Sequence, residues 1–453
     1  VEVKNSLEKN DLTKGSITGA LFKLAIPVMG TSFIQMAYNM IDMIWIGRLG
    51  SSAVASVGTA GFYLWMAFGF LVLSKIGAQI NVAQSFGRND IGAVKRYSGA
   101  GLQGAVITGI LYCLAMYAFK TKLIDFFNID DVEVNKNAVE YLQIVVFGLF
   151  FMFINEVVSG IIIGSGKSSF PFKVNAAGLI TNIVLDPILI FGMGPFSAMG
   201  VSGAAVATVT SQLVVTICYG VFIARDKNHF LRFSIFKRFY YKEIKENIRI
   251  GLPVSVQSIL FTFFSMYIAR IVSVWGPVAV AIQRVGGQIE SVSWRTADGF
   301  SSALCSFIGQ NYGADNRERV KKGYITALRL MSIFGFFTSV LLIVFAEQII
   351  TLFIPETGAI IIGTEYLKIL GLSQLFMCLE ITSSGAFAGM GKTKPPALIG
   401  ILLNLARIPL AIALSKTVLG LNGVWWSICI TSILKGIILT AWFLMNNRNY
   451  WNR

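Results

Sequence analysis

The sequence predicts an all-α polytopic membrane protein, with twelve transmembrane helices in two pseudo-symmetric six-helix lobes around a central cleft. Three observations carry that expectation. The first is composition: of 453 residues, 55% are hydrophobic and 13% charged, with a mean hydropathy of +0.68, against about 25% charged residues in soluble domains. The second is a succession of apolar runs that each reach the roughly 20 residues a helix needs to cross a bilayer. The third is an internal repeat that divides those runs into two sets.

The first span, roughly 17–46, follows a polar arm, VEVKNSLEKNDLTKGS. It has no small-residue cleavage site after a short apolar core, so it reads as a retained helix and not as a signal peptide. The others fall at roughly 53–83, 93–119, 137–162, 170–193, 201–224, 247–275, 278–309, 322–346, 361–387, 395–417 and 423–446. Several are longer than a bare crossing requires, which predicts tilt or extension beyond the bilayer. Lysine and arginine concentrate in every second loop: Lys4, Lys9, Lys14 and Lys23; then Arg88, Lys95 and Arg96; Lys167 and Lys173; Arg225 to Arg249; Arg317, Arg319, Lys321 and Lys322; Lys392 and Lys394; Arg448 and Arg453. The alternate loops are short, apolar or acidic, with Asp125, Asp130, Asp131 and Glu133, and later Glu347 and Glu356. Basic loops stay cytoplasmic, so both termini are expected in the cytoplasm of a cell inner (plasma) membrane. The net charge of +15 is therefore a topology signal. Without a basic groove or stacking motif it does not point to nucleic acid.

The repeat is carried by three pairs of segments. LAIPVMGTSFIQ resembles IGLPVSVQSILF, aligning Pro27 with Pro253; SFGRNDIGAVKR resembles IGQNYGADNRERVKK, aligning Gly87 with Gly313; GSGKSSFP resembles GMGKTKPP, aligning Lys167 with Lys392. A constant offset of about 225 residues, with matching segments on the same side of the membrane, defines a parallel repeat. The lobes are expected at 1–224 and 247–453, joined by a cytoplasmic loop at 225–246. Two equivalent bundles about a cleft are the architecture of an alternating-access carrier.

The polar residues inside the spans are few and grouped. In the first helix Gln35, Tyr38, Asn39 and Asp42 follow an i, i+3, i+4, i+7 spacing and share one face. A carboxylate at the centre of a membrane helix costs about 2.5–3.5 kcal/mol on insertion scales, so that face requires water, an ion or a polar partner. In the fifth span, TNIVLDPILIFG places Asn182 and Asp186 one turn apart, and Pro187 removes the donor that would meet the Ile183 carbonyl. A carboxylate, an amide and a freed carbonyl suit a hard cation with oxygen ligands. The sixth span, GVSGAAVATVTSQ, has small residues for close packing and offers the hydroxyl of Thr208. In the repeat, Asp42 aligns with Ile268 and Asp186 with Ile408, so both acids belong to the N-terminal lobe alone. The alternative is that Asp42 and Asp186 only hydrogen-bond neighbouring helices.

These features resemble the multidrug and toxic compound extrusion (MATE) family: AIPVMG at the start of the first helix, YNMIDMIWIGRLG closing it, NIVLDP in the fifth, and twelve spans in two lobes. Within that family the DinF-like branch is the one resembled. The resemblance implies a cation-coupled (H⁺ or Na⁺) multidrug efflux antiporter that exports amphipathic organic cations by alternating access. It places the cation site on Asp42, Asn182, Asp186 and Thr208, the metal ligands if the ion is Na⁺. Two close carboxylates repel when both are ionised, so a shared proton satisfies them as Na⁺ does. Gln35, Met36, Tyr38, Asn39, Tyr141 and Phe153 are assigned to the substrate cavity, with Met and aromatic side chains as its soft wall. Pro27 is assigned a gating role, as a bend released when Asp42 is neutralised. The seventh-helix glutamate of the NorM and eukaryotic branches has no counterpart in PVSVQSILFTFFSMYIARIV. Expected partners are small amphipathic cations and membrane lipids, with the chain a monomer.

The eighth span carries Arg284, Glu290, Arg295 and Asp298, read as a gating or structural network in which Arg295 and Asp298, at i, i+3, pair with each other or with a neighbouring helix. Substrate or ion contact is the other reading. Glu156, Glu380, Arg407 and Lys435 read as members of interhelical pairs. GSGKS and GMGKT are not phosphate loops, because Ile161 and Ala386 stand where the first glycine is needed and no strand precedes them. No cofactor is expected beyond the coupling ion. Five scattered cysteines and the lone His229 give neither a transition-metal motif nor a catalytic dyad, so an enzyme is not expected. Arg270, Arg284, Arg295 and Arg407 support an alternative within the same superfamily, a lipid-linked saccharide flippase with a cationic cavity.

Overall fold

In lipid every backbone N–H and C=O has to be satisfied within its own segment, and a helix does this. The structure, a computed structural model, describes residues 11–127, 131–225, 238–354 and 356–446. Most of the expected inter-lobe loop (226–237, with His229), Asp130, the start of the polar arm, Arg448 and Arg453 lie outside the described residues. Among the described residues fourteen α-helices run in order: α1 Ile17–Gly47, α2 Ser51–Gly87, α3 Ile91–Asp125, α4 Val132–Gly164, α5 Ser169–Phe191, α6 Gly200–Arg225, α7 Tyr241–Val272, α8 Pro277–Gly313, α9 Arg317–Val344, α10 Ala346–Phe353, α11 Thr357–Gly371, α12 Gln374–Gly389, α13 Lys394–Ser415 and α14 Leu421–Asn446.

Ten of these are long and apolar enough to cross a membrane alone, and α11 with α12, bent by 45°, make an eleventh. The twelfth expected span is α8, 37 residues long, whose four charges dilute its apolar character. Three details differ from the sequence expectation. Helix α9 starts at Arg317, not near 322, because Asn316 caps it, accepting the Arg319 N–H at 3.2 Å. A short helix, α10, follows it. The tenth span is broken after Gly371, where the Leu370 carbonyl accepts from the Ser373 backbone N–H at 3.0 Å and also from the Ser373 hydroxyl and the Gln374 amide, at 2.8 and 3.3 Å.

The sequence repeat is also a repeat of backbone geometry. Asn89 and Asp315 occupy the left-handed region at φ 57° and 52°, each directly before a capping residue. Asp90 and Asn316 then accept the N–H of the third residue onward, from Ala93 at 2.8 Å and Arg319 at 3.2 Å. After the fourth and tenth spans, Gly166 and Gly391 turn the chain at φ 88° and 76°, a conformation that glycine adopts without a Cβ penalty.

The chain forms two compact units, one of Gly30–Ser255 and one of Leu12–Met29 with Val256–Arg453. Their limits therefore differ from the chain halves at 1–224 and 247–453. Within the second unit Leu12 donates to Gln310 and accepts from Asn311 and Arg319, whose guanidinium also holds the carbonyls of Lys14 and Gly15 at 2.7 Å. Within the first, Asn81 donates to Asn247 at 2.8 Å and Ser255 to the Gly69 carbonyl at 2.5 Å. In each case an arm of polar bonds ties the start of a helix to the unit it joins. Inside the first unit α5 and α6 approach closely: Gly178 lies against the Val215 side chain, and Gly203 against the backbone carbonyl of Leu189.

Candidate functional site

The site is built within the first unit, from the part of α1 that begins at Gly30 together with α5 and α6. Helix α1 is continuous through Pro27. It meets α5 at two places, where the Phe172 ring lies on Gly30 and where Trp45 stands edge-on to Phe191 with centroids 6.1 Å apart. Between them lies the polar face. Helix α5 is likewise continuous through Pro187 and ends at Gly192, which takes a left-handed conformation at φ 75°. The small residues of α6 bring Thr208 against this pair.

Asn182 and Asp186 are fully buried on α5, and the Asn182 amide donates from Nδ2 to Asp186 Oδ1 at 3.1 Å. The carboxyl of Asp42 lies beside the Asp186 carboxyl and the Asn182 amide. The hydroxyl of Tyr38, one turn before Asp42, lies beside Thr208 and Ser211 of α6. Five oxygens in this group are buried and without a hydrogen-bond partner: Tyr38 Oη, Asp42 Oδ1, Asn182 Oδ1, Asp186 Oδ2 and Thr208 Oγ1. A buried polar atom left unsatisfied costs about 1–3 kcal/mol, so five gathered oxygens need a donor or a cation between them. Neither acid forms an ion pair with a basic side chain among the described residues. The oxygen-only donor set matches a hard monovalent cation or a proton.

All four expected cation ligands are thus brought together, and Tyr38, assigned above to the cavity, joins them. The other cavity residues part company. Tyr141 is buried on α4 within electrostatic reach of Asp42 and Asp186. Phe153 has no exposed surface; it is packed in the core against Tyr112, with centroids 5.9 Å apart, so its place is packing and not wall. Met36 is half-buried and Asn39 exposed. Gln35 does not turn to the acids; its amide donates to Glu156 Oε1 on α4 at 2.7 Å. The other oxygen of Glu156 takes the ammonium of Lys75, on α2, at 2.6 Å. Lys75 was missed in the sequence, although a single charge in the apolar run LVLSKIGAQ signals a partner. Also missed was the link from α4 to α6, where the Asn155 amide donates to Gln212 Oε1 at 3.0 Å and Thr216 donates to Asn155 at 2.8 Å.

In the second unit Glu290 accepts from Tyr366 at 2.7 Å and Gln374 at 3.1 Å, tying α8 to both halves of the broken span. The Arg295 guanidinium covers the Trp294 ring at 4.8 Å, since a planar cation can satisfy itself on an aromatic face as well as on a carboxylate. Arg284 is exposed. Glu380 pairs with Lys435 at 3.0 Å. Arg407 instead donates to the hydroxyls of Thr431 and Ser432 at 3.0 and 3.4 Å.

Comparison with known proteins gives a consistent picture. The family model described as MatE matches residues 27–188 and 253–413, once in each half. A Thermotoga maritima protein described as probable multidrug resistance protein NorM is 30% identical over 447 residues, 97% of this chain and 95% of that one. The Bacillus subtilis protein described as probable multidrug resistance protein YoeA is 26% identical over 420 residues, covering 91% of this chain and 90% of its own. A crystal structure of MATE in complex with MaD3S shares the fold at a TM-score of 0.91 and 23% identity, covering 98% of this chain and 99% of that one.

Proposed function

Because this chain belongs to the MatE family of multi-pass membrane transporters, we propose that it is a multidrug efflux antiporter that exports amphipathic organic cations in exchange for Na⁺ or H⁺. The observation that carries the reading is the cluster of five unpartnered buried oxygens on α1, α5 and α6, centred on Asp42 and Asp186. In this reading Asp42, Asn182, Asp186 and Thr208 hold the coupling ion, with the Tyr38 hydroxyl as a fifth ligand. When the ion is a proton it is shared between the two carboxyls. When it is Na⁺, two carboxylates with an amide and hydroxyls supply a charged cage of oxygen ligands.

Coupling follows from where the acids stand. Asp42 is on α1, downstream of Pro27, whose ring removes one rung of the helix ladder and weakens it locally. Filling or emptying the cluster changes what holds the polar face of α1 to α5, and the weakened rung gives that change somewhere to act. The chain works as a monomer in a prokaryotic inner membrane with both termini in the cytoplasm, and needs no bound cofactor. The names of the NorM and YoeA relatives, probable multidrug resistance proteins, support multidrug efflux.

The test is export of ethidium from proteoliposomes in which Na⁺ and pH gradients are imposed separately. Wild type exports under at least one gradient; Asp42→Asn and Asp186→Asn lose the gradient dependence. Unchanged gradient-driven export in both variants would overturn the assignment. Scrambling of a lipid-linked saccharide in the same vesicles, without ethidium export, would replace it with the flippase reading.

A further inference from the structure

We propose that Glu156 is the counter-ion for the cationic group of the exported compound, and that the Lys75 ammonium is a resident stand-in which that group displaces. The inference rests on the efflux reading above and assigns the recognition of positive charge to a site separate from the ion cluster.

The argument starts from cost. Lys75 and Glu156 sit in spans α2 and α4, in stretches that carry no other charge. Replacing a buried ion pair with well-packed apolar residues is commonly neutral or stabilising, so stability alone does not account for this one. Its geometry fits exchange. The Lys75 stem lies along α4 at Gly160, one turn beyond Glu156, and the ammonium reaches back to Glu156 Oε2 at 2.6 Å. An ammonium on a flexible four-carbon stem can give up the carboxylate to another cationic group that takes its place there. The pair is reachable too, with 27% of the lysine side chain and 11% of the glutamate side chain exposed.

The carboxylate is not saturated. It takes one bond at each oxygen, from Gln35 and from Lys75, and a carboxylate offers about four acceptor positions. The Gln35 contact ties this site to the coupling helix. Gln35 and Asp42 lie seven residues apart on one face of α1, so movement of α1 that changes the ion cluster also changes the donor at Glu156. A compound with an ammonium, amidinium or aromatic iminium centre is the ligand class that replaces a lysine ammonium on a carboxylate.

Equilibrium binding of ethidium to the purified full chain in detergent, with no gradient, tests this. Glu156→Gln weakens binding by about tenfold or more, the worth of one charge-assisted contact, and Lys75→Met strengthens it by a similar factor. The double variant Lys75→Met/Glu156→Gln separates recognition from packing. It leaves no unpaired charge, so a purely structural pair predicts recovery of wild-type affinity, whereas a counter-ion predicts that binding stays weak. Recovery in the double variant, or wild-type affinity in Glu156→Gln, overturns the proposal. No gain in Lys75→Met overturns the stand-in role. Wild-type protein that binds no ethidium would instead sink the efflux reading, so the two failures are told apart.

Discussion

Asn182 donates from Nδ2 to Asp186 Oδ1 across one turn of α5, beside the carboxyl of Asp42, and this leaves Asn182 Oδ1 and Asp186 Oδ2 buried without a partner. The amide thus orients the carboxyl as well as offering its own Oδ1 as a ligand. Asn182→Ala removes both functions. Gradient-driven ethidium export should fall by about tenfold or more, the cost of a lost bond to a charged group. Asn182→Asp should restore an oxygen but not the donor, and recover only part of the loss. Initial export rates in proteoliposomes check both.

Tyr38→Phe should separate function from stability. The hydroxyl is buried and has no hydrogen-bond partner, and removing an unsatisfied polar atom is neutral or mildly stabilising. The melting midpoint should therefore hold or rise while the apparent affinity for the coupling ion falls. A variant that melts earlier with unchanged ion dependence would place the hydroxyl in the packing and outside the ion cluster.

Much of the fold was legible in the chain because a bilayer leaves few options: apolar length sets the helices. The acids were legible for a related reason, since an isolated Asp42 or Asp186 in an apolar run is too costly to be incidental. What stayed hidden depends on a third dimension that periodicity does not supply. Gln35 shares a face with Asp42 but is long enough to reach α4 and bond Glu156 instead. Phe153 had the composition of a cavity wall, and only packing shows it enclosed beside Tyr112. The break after Gly371, where one backbone and two side-chain donors meet on the Leu370 carbonyl, is announced by no proline.

The close approach of α5 and α6 gives a prediction about distance. A Cβ on Gly203 would meet the carbonyl of Leu189, one turn past Asp186, and backbone does not give way as a side-chain tip does. Gly203→Ala should destabilise the protein by about 1–3 kcal/mol through overpacking. It should also displace Asp186 enough to weaken ion-dependent export. Gly61→Ala on α2, where a Cβ meets nothing within 4 Å, is the matched control and should leave both unchanged. Thermal unfolding and export assays on the pair distinguish the two positions.

The Glu290 network should behave as structure. Tyr366→Phe deletes the 2.7 Å donor to Glu290 Oε1 while keeping the ring edge-on to Trp425, with centroids 5.0 Å apart. Gln374 remains as the second donor, so the carboxylate is not stranded. Hydrogen bonds between membrane helices average about 0.6 kcal/mol and reach about 1.7, so the loss should be about 1 kcal/mol. Unfolding should occur at lower denaturant with the ion dependence of export unaltered, because the change lies in the second unit and leaves the cluster around Asp42 intact. A shift in ion dependence at unchanged stability would instead assign Glu290 to the transport reaction.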